Sequence, residues 1–166
     1  VIAGGGYGST RSISGMFAIP ACNQPLGNAN AGLSQGSILI LASQTTTATP
    51  TVLCSYANTA GTTNQVIMPN NSAYYFRGEV VAGKTAGGDT KGWYIEGVIK
   101  RGANAASTAL VGTPTVTSNY ADAGASTWTV AVTADTTNGG LAVTVTGQAS
   151  TTIRWVCQVR TTEMTF

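Results

Sequence analysis

Any chemistry in this 166-residue chain has to come from few groups. The acids are Glu79, Asp89, Glu96, Asp122, Asp135 and Glu163, the cysteines are Cys22, Cys54 and Cys157, and there is no histidine. A nucleophile activated by the usual imidazole base therefore has no base. Three cysteines without a CxxC spacing and without histidine do not spell a common zinc site. We read Cys157, which alternates in register with Trp155, as a small core hydrophobe, and Cys22–Cys54 as the one disulfide to consider. Two carboxylates facing one cleft would suit glycoside hydrolysis, and Glu79 with Glu96 is the pair a hairpin could bring together. Arg77 and Lys100 share their side of the strands, so cross-strand ion pairs are the favoured reading. Asp89, Asp122 and Asp135 sit in Gly-containing turns, where Asp stabilises the turn itself. Gly4-Gly5-Gly6-Tyr7-Gly8 lacks the spacing and the strand–helix context of a dinucleotide fingerprint. No catalytic residue, metal site or cofactor is assigned. Binding of a sugar would fall to exposed aromatic rings, which stack on the apolar face of a pyranose. Tyr75, Tyr94 and Tyr120 are the candidates for receptor contact. Tyr120 is read in a polar loop, whereas Tyr75 and Tyr94 serve an interface at least as well.

These residues must be held by strands. From Asn70 to Lys100, Tyr74, Phe76 and Val80 alternate with Tyr75, Arg77 and Glu79. Past a Gly-rich connection, Trp93, Ile95 and Ile99 alternate with Tyr94, Glu96 and Lys100. Such period-2 patterns mark a half-buried antiparallel pair. The pattern recurs over 37–44, 51–56, 64–68, 72–82, 92–100, 111–118, 127–134, 141–147 and 152–162, with turn signals between. Trp128, Val130 and Val132 should share a hairpin face with Leu141, Val143 and Val145. The last strand should turn Ile153, Trp155, Cys157 and Val159 inward. Residues 1–36 are Gly-, Asn- and Ser-rich without a sustained period, with 12–19 the one strand candidate among them. The expectation is an all-β protein: an antiparallel, jelly-roll-like β-sandwich of eight or nine strands over 37–166, with an extended N-terminal arm over 1–36.

Composition narrows the class. Charged residues make up 8% of the chain, against about 25% in an average soluble protein. The neutral, hydroxyl-rich surface this implies is commoner in extracellular or virion proteins than in intracellular enzymes. A net charge of +2 with scattered cations is no nucleic-acid footprint. No apolar run approaches the roughly 20 residues of a membrane span. The opening VIAGGGYGSTR has no signal-peptide pattern and begins at Val, which reads as a processed product or a fragment.

The stretch 47–163 carries an ordered series of segments. They include Ala48-Thr49-Pro50-Thr51-Val52-Leu53, Asn64-Gln65-Val66-Ile67-Met68-Pro69-Asn70-Asn71-Ser72-Ala73-Tyr74 and Phe76-Arg77-Gly78. Ile99-Lys100-Arg101-Gly102-Ala103-Asn104 through Gly112, Trp128-Thr129-Val130, Ala134-Asp135-Thr136-Thr137-Asn138-Gly139-Gly140-Leu141 and Ile153-Arg154-Trp155-Val156 follow. This series resembles a module of tail fibre and tail-associated proteins of tailed bacteriophages. The resemblance implies a non-enzymatic virion structural protein, a tail fibre module for host attachment or fibre assembly, located in the tail appendage. It further implies a homo-oligomer, a trimer, with a host surface glycan as a partner. Residues 1–36 fall outside the match, and as an extended arm they are the stretch expected to contact other virion proteins. It supplies no catalytic residue. Two other readings are a capsid decoration or tail collar protein, and a polysaccharide depolymerase built on Glu79 and Glu96.

Overall fold

The computed structural model describes residues 1–4, 6–21, 26 and 30–166. Among the described residues ten strands form two antiparallel sheets: the nine that the pattern over 37–166 predicts, and one that overlaps the candidate stretch 12–19. They are β1 (Phe17–Pro20), β2 (Ser34–Thr45), β3 (Thr51–Val52), β4 (Val66–Ile67), β5 (Ser72–Lys84), β6 (Thr90–Arg101), β7 (Ala109–Ala121), β8 (Thr129–Asp135), β9 (Gly140–Thr146) and β10 (Ile153–Thr165). The larger sheet has the order β1-β2-β10-β5-β6-β7. In the smaller sheet β9 is central, with β8 on one side and the short β3 and β4 in succession along the other. The architecture is the expected all-β sandwich.

Alternation explains which face goes where. β10 buries Ile153, Trp155, Cys157 and Val159 and exposes Arg154, Val156 and Arg160. β5 buries Tyr74, Phe76 and Val80 and exposes Tyr75, Arg77, Glu79 and Val81. The hairpin of β8 and β9 sets Val130 opposite Val145 and Val132 opposite Val143, and all four are buried. Between the sheets Trp155 packs on Trp93 and Trp128, with ring centroids 5.6 Å and 5.9 Å away. The Trp155 indole N–H donates to Thr45 Oγ1 at 2.9 Å, which satisfies its one buried polar atom. Cys157 is a fully buried free thiol whose pKa burial pushes up to about 12, so it behaves as a core hydrophobe. Gly78 is required where β5 meets β10: a Cβ there would run into the Gln158 carbonyl.

Of the stretch expected as an arm, much of the described part is packed onto the sandwich. β1 extends the larger sheet by pairing with β2, and Ile13, Met16 and Ala18 join the core. The Arg11 guanidinium reaches the Glu163 carboxylate on β10 at 2.5 Å and donates to the Gly32 carbonyl at 2.8 Å. Glu163 also accepts from Gln35 Nε2 at 2.8 Å and from the hydroxyls of Ser37 and Thr161, each at 2.6 Å. Its side chain has no exposure to solvent, so Arg11 and these three donors replace the water it gave up. Ser9 adds a backbone bridge, exchanging hydrogen bonds with the Gln35 side chain. The arm is thereby tied down by one buried charge pair and a polar shell. Cys22 lies outside the described residues.

Candidate functional site

The sequence candidates gather on the outward face of the larger sheet. Tyr75 stands on β5 opposite Val98 of β6, and is 41% exposed. Tyr94 stands on β6 opposite Glu79 and is half-buried among its neighbours. Tyr120 is not in a loop: it belongs to the end of β7, opposite Gly92, and is 78% exposed. The polar residues around it conceal an edge strand, and backbone pairing with β6 overrides their weak strand preference. Because Tyr94 lies opposite Thr117, Tyr94 and Tyr120 are near-diagonal neighbours. Tyr75 is four residues along β5 from the partner of Tyr94, about 13 Å away at about 3.3 Å per residue. The three rings are thus spread over an open sheet and do not close on one cavity.

Cross-strand register arranges this face in rows. One row reads Ala42, Val156, Val81, Gly92 and Tyr120 across β2, β10, β5, β6 and β7. Another, three steps along, reads Gly36, Thr162, Tyr75, Val98 and Val111. Between them run Ile40, Gln158, Glu79 and Tyr94, then Ile38, Arg160, Arg77 and Glu96. Ile40, Val81, Val111 and Val156 are each between 44% and 52% exposed. Exposed apolar side chains thus stand on both sides of a central band that carries Arg77, Glu79, Glu96 and Arg160, on a sheet face that no other described element covers.

The charges on this face correct the sequence reading. Arg77 does lie opposite Glu96, but the ion pairs among the described residues are Arg11–Glu163 and Lys84–Asp89 alone. Glu79 faces Gln158 and Tyr94, and Lys100 faces Ala73 and Ala109. Exposed side chains of this length gain little from pairing in water, so opposite register alone does not draw them together. Arg160 is held flat by Gln158, whose amide oxygen accepts from its Nε at 3.0 Å and from a terminal nitrogen at 2.8 Å.

Clefts lie away from the three candidate tyrosines, two of them at the margins of this face, where Ala42 and Val156 line one and Ala73 and Lys100 another. One of about 570 Å³ is lined by Asn71, Ser72, Lys100, Arg101, Ser107 and Phe166. Another, about 340 Å³, lies beside Gln44, Tyr56 and Arg154. A third, about 310 Å³, lies beside Ser9, Arg11 and Met68. Neither Glu79 nor Glu96 lines any of these; the two acids are diagonal neighbours on open sheet. The turn aspartates have structural partners. Asp135 accepts from the backbone N–H groups of Thr137 and Asn138 and from the side chains of Asn138 and Gln65. Asp122 accepts from the Thr90 backbone, and Asp89 from Lys84.

The Arg11–Glu163 cluster escapes a reading of spacing, since its members are 152 residues apart. Half of it carries a signal: Glu163 keeps the inward parity of Ile153 through Thr161. Comparison with protein-family models and with curated proteins gives no match.

Proposed function

We propose that this chain is a non-enzymatic structural module of a virion, a tail fibre component of the tail appendage, and that its task is assembly of the fibre. The resemblance over 47–163 supports the class. The observation that carries the task is the outward face of the larger sheet, broad and open, with Ile40, Val81, Val111, Val156 and Tyr120 in water. A surface of apolar and aromatic side chains with a few unpaired charges suits contact with another protein chain. In this reading the module is a homo-oligomer, with a trimer the state that the resemblance implies, and residues 1–36 carry the contact with other virion proteins. Attachment to a host glycan through Tyr75, Tyr94 and Tyr120 is the second function, favoured by the exposure of Tyr120, the ring most open to a sugar.

The test is to incubate a fluorescent fusion of residues 1–166 with candidate host cells and assay released polysaccharide in the same tube. Assembly predicts neither firm cell binding nor sugar release by the isolated module. Binding that Tyr120→Ala abolishes would transfer the task to glycan attachment. Sugar release that Glu79→Ala abolishes would overturn the non-enzymatic reading in favour of a depolymerase.

A further inference from the structure

We propose that the cleft beside Tyr56 and Arg154 binds an acidic sugar residue, a pyranose that carries a carboxylate. This site is separate from the open tyrosine face. It goes beyond the assembly reading, and needs only the corner next to Val156 to stay open.

The cleft is a corner rather than a plane. Its floor is the outward side of β2 and β10, where Ala42 lies opposite Val156 and Gln44 opposite Arg154. Its wall is the segment 54–58 that follows β3. Two backbone hydrogen bonds between Ala42 and Cys54, at 2.9 Å and 3.3 Å, join wall to floor. The wall is also braced from within the fold. The Ser55 hydroxyl donates to the Ser14 carbonyl at 2.6 Å. The buried Asn64 amide donates to the carbonyls of Tyr56 and Thr59 at 2.6 Å and 2.8 Å. Ala57 takes a left-handed φ of 60°, which turns the chain directly after the tyrosine. Tyr56 is thus fixed at its backbone, yet it is 69% exposed. A site held in shape beforehand loses less freedom when it is occupied.

The lining selects the ligand. A bare tyrosine ring beside the apolar floor of Ala42 and Val156 suits the C–H face of a pyranose. Gln44 and Asn58 bring amides for its hydroxyls. The Gln44 amide oxygen accepts from Arg154 Nε at 3.2 Å. That bond orients the guanidinium and leaves both terminal nitrogens without a partner among the described residues. Two such nitrogens match the two oxygens of a carboxylate. No acid among the described residues lines the cleft, so the charge of Arg154 is open to an anion. The arginines of the other two clefts are committed, Arg11 to Glu163 and Gly32, and Arg101 to the carbonyls of Met68 and Gly139. At about 340 Å³ the cleft stands at the small end of ligand sites, which suits a terminal sugar.

The test is saturation-transfer NMR on the full chain with the methyl glycosides of galacturonate, glucuronate and N-acetylneuraminate, each beside its uncharged methyl ester. At least one acid should bind at least about fivefold more tightly than its ester. Tyr56→Ala should weaken that binding at least about tenfold, and Tyr56→Phe by less than about threefold, because the ring remains. Arg154→Gln should bring the acid down to the affinity of its ester. Melting curves that match wild type would show that the variants fold. Sedimentation unchanged by Tyr56→Ala would keep the site apart from the assembly face. No binding of any of the three acids would overturn the site and leave the assembly reading standing. Equal binding of acid and ester would overturn the acidic class. Binding lost in Tyr120→Ala but kept in Tyr56→Ala would return sugar contact to the open face. Association altered by Tyr56→Ala would make the cleft part of a contact between chains and overturn it as a sugar site.

Discussion

The two faces of β5 and β10 differ although they share every backbone atom. Inward, Tyr74, Phe76, Val80, Trp155, Cys157 and Val159 are almost wholly buried against the smaller sheet. Outward, Tyr75, Arg77, Glu79, Val81, Val156 and Arg160 meet water, and half of them are apolar or aromatic. The inward face is completed by the chain itself. The outward face has the composition of an interior margin without the layer that would cover it. On β5 the even residues from Tyr74 to Val80 therefore serve stability, and the odd ones from Tyr75 to Val81 are left for the proposed assembly.

The sharpest break in the inner face is Trp155→Ala. It removes the centre of the three-tryptophan cluster and the bond to Thr45, and should cost about 3–5 kcal/mol in urea unfolding. Glu163→Ala comes next. It leaves Arg11, Gln35, Ser37 and Thr161 facing a lost acceptor, and should cost roughly 3 kcal/mol. It should also speed proteolysis within residues 6–21, since Arg11 would lose its anchor.

Asp135→Asn in the turn between β8 and β9 should cost about 1 kcal/mol, because solvent screens the site. Partial burial raises the pKa of Asp135, but donors on Asn138, Gln65 and Thr137 outweigh it and hold the carboxyl below its ordinary 3.8. The folded turn binds the ionised form. Its contribution is therefore complete above that ordinary value and disappears as pH falls through the lowered folded value. Stability of wild type should fall more steeply than that of Asp135→Asn as pH is taken below about 4. On the outward face, Arg77→Ala should change monomer stability by less than about 0.5 kcal/mol, since it removes no contact buried in the chain.

Much of the fold is legible in the sequence because period-2 alternation reports parity directly. The nine expected strands overlap β2 through β10, and the inward sets of the hairpin and of the last strand are those observed. β1 is legible only in part: the candidate stretch 12–19 overlaps it, but four residues of pairing beside Gly and Pro give no sustained period, and contact with β2 sets its bounds. The outward placement of Tyr75 and Tyr94 follows from the same parity. Tyr120 does not, because Ser118, Asn119 and Asp122 around it read as turn residues. Parity also puts Arg77 across from Glu96, but it cannot report whether two long side chains close the gap, and here they do not. The partner of Glu163 is a matter of tertiary folding alone, since Arg11 arrives from the other end of the chain.

Val80 and Val81 are adjacent on one strand, 2% and 52% exposed, and offer the most direct measurement. Each should be replaced by Glu, and melting and sedimentation followed in parallel. Val80→Glu should unfold the chain, whereas Val81→Glu should melt with wild type yet sediment as a monomer where wild type associates. Equal loss of folding in both variants, or unchanged association in Val81→Glu, would contradict the division of β5 into a finished inner face and an assembling outer one.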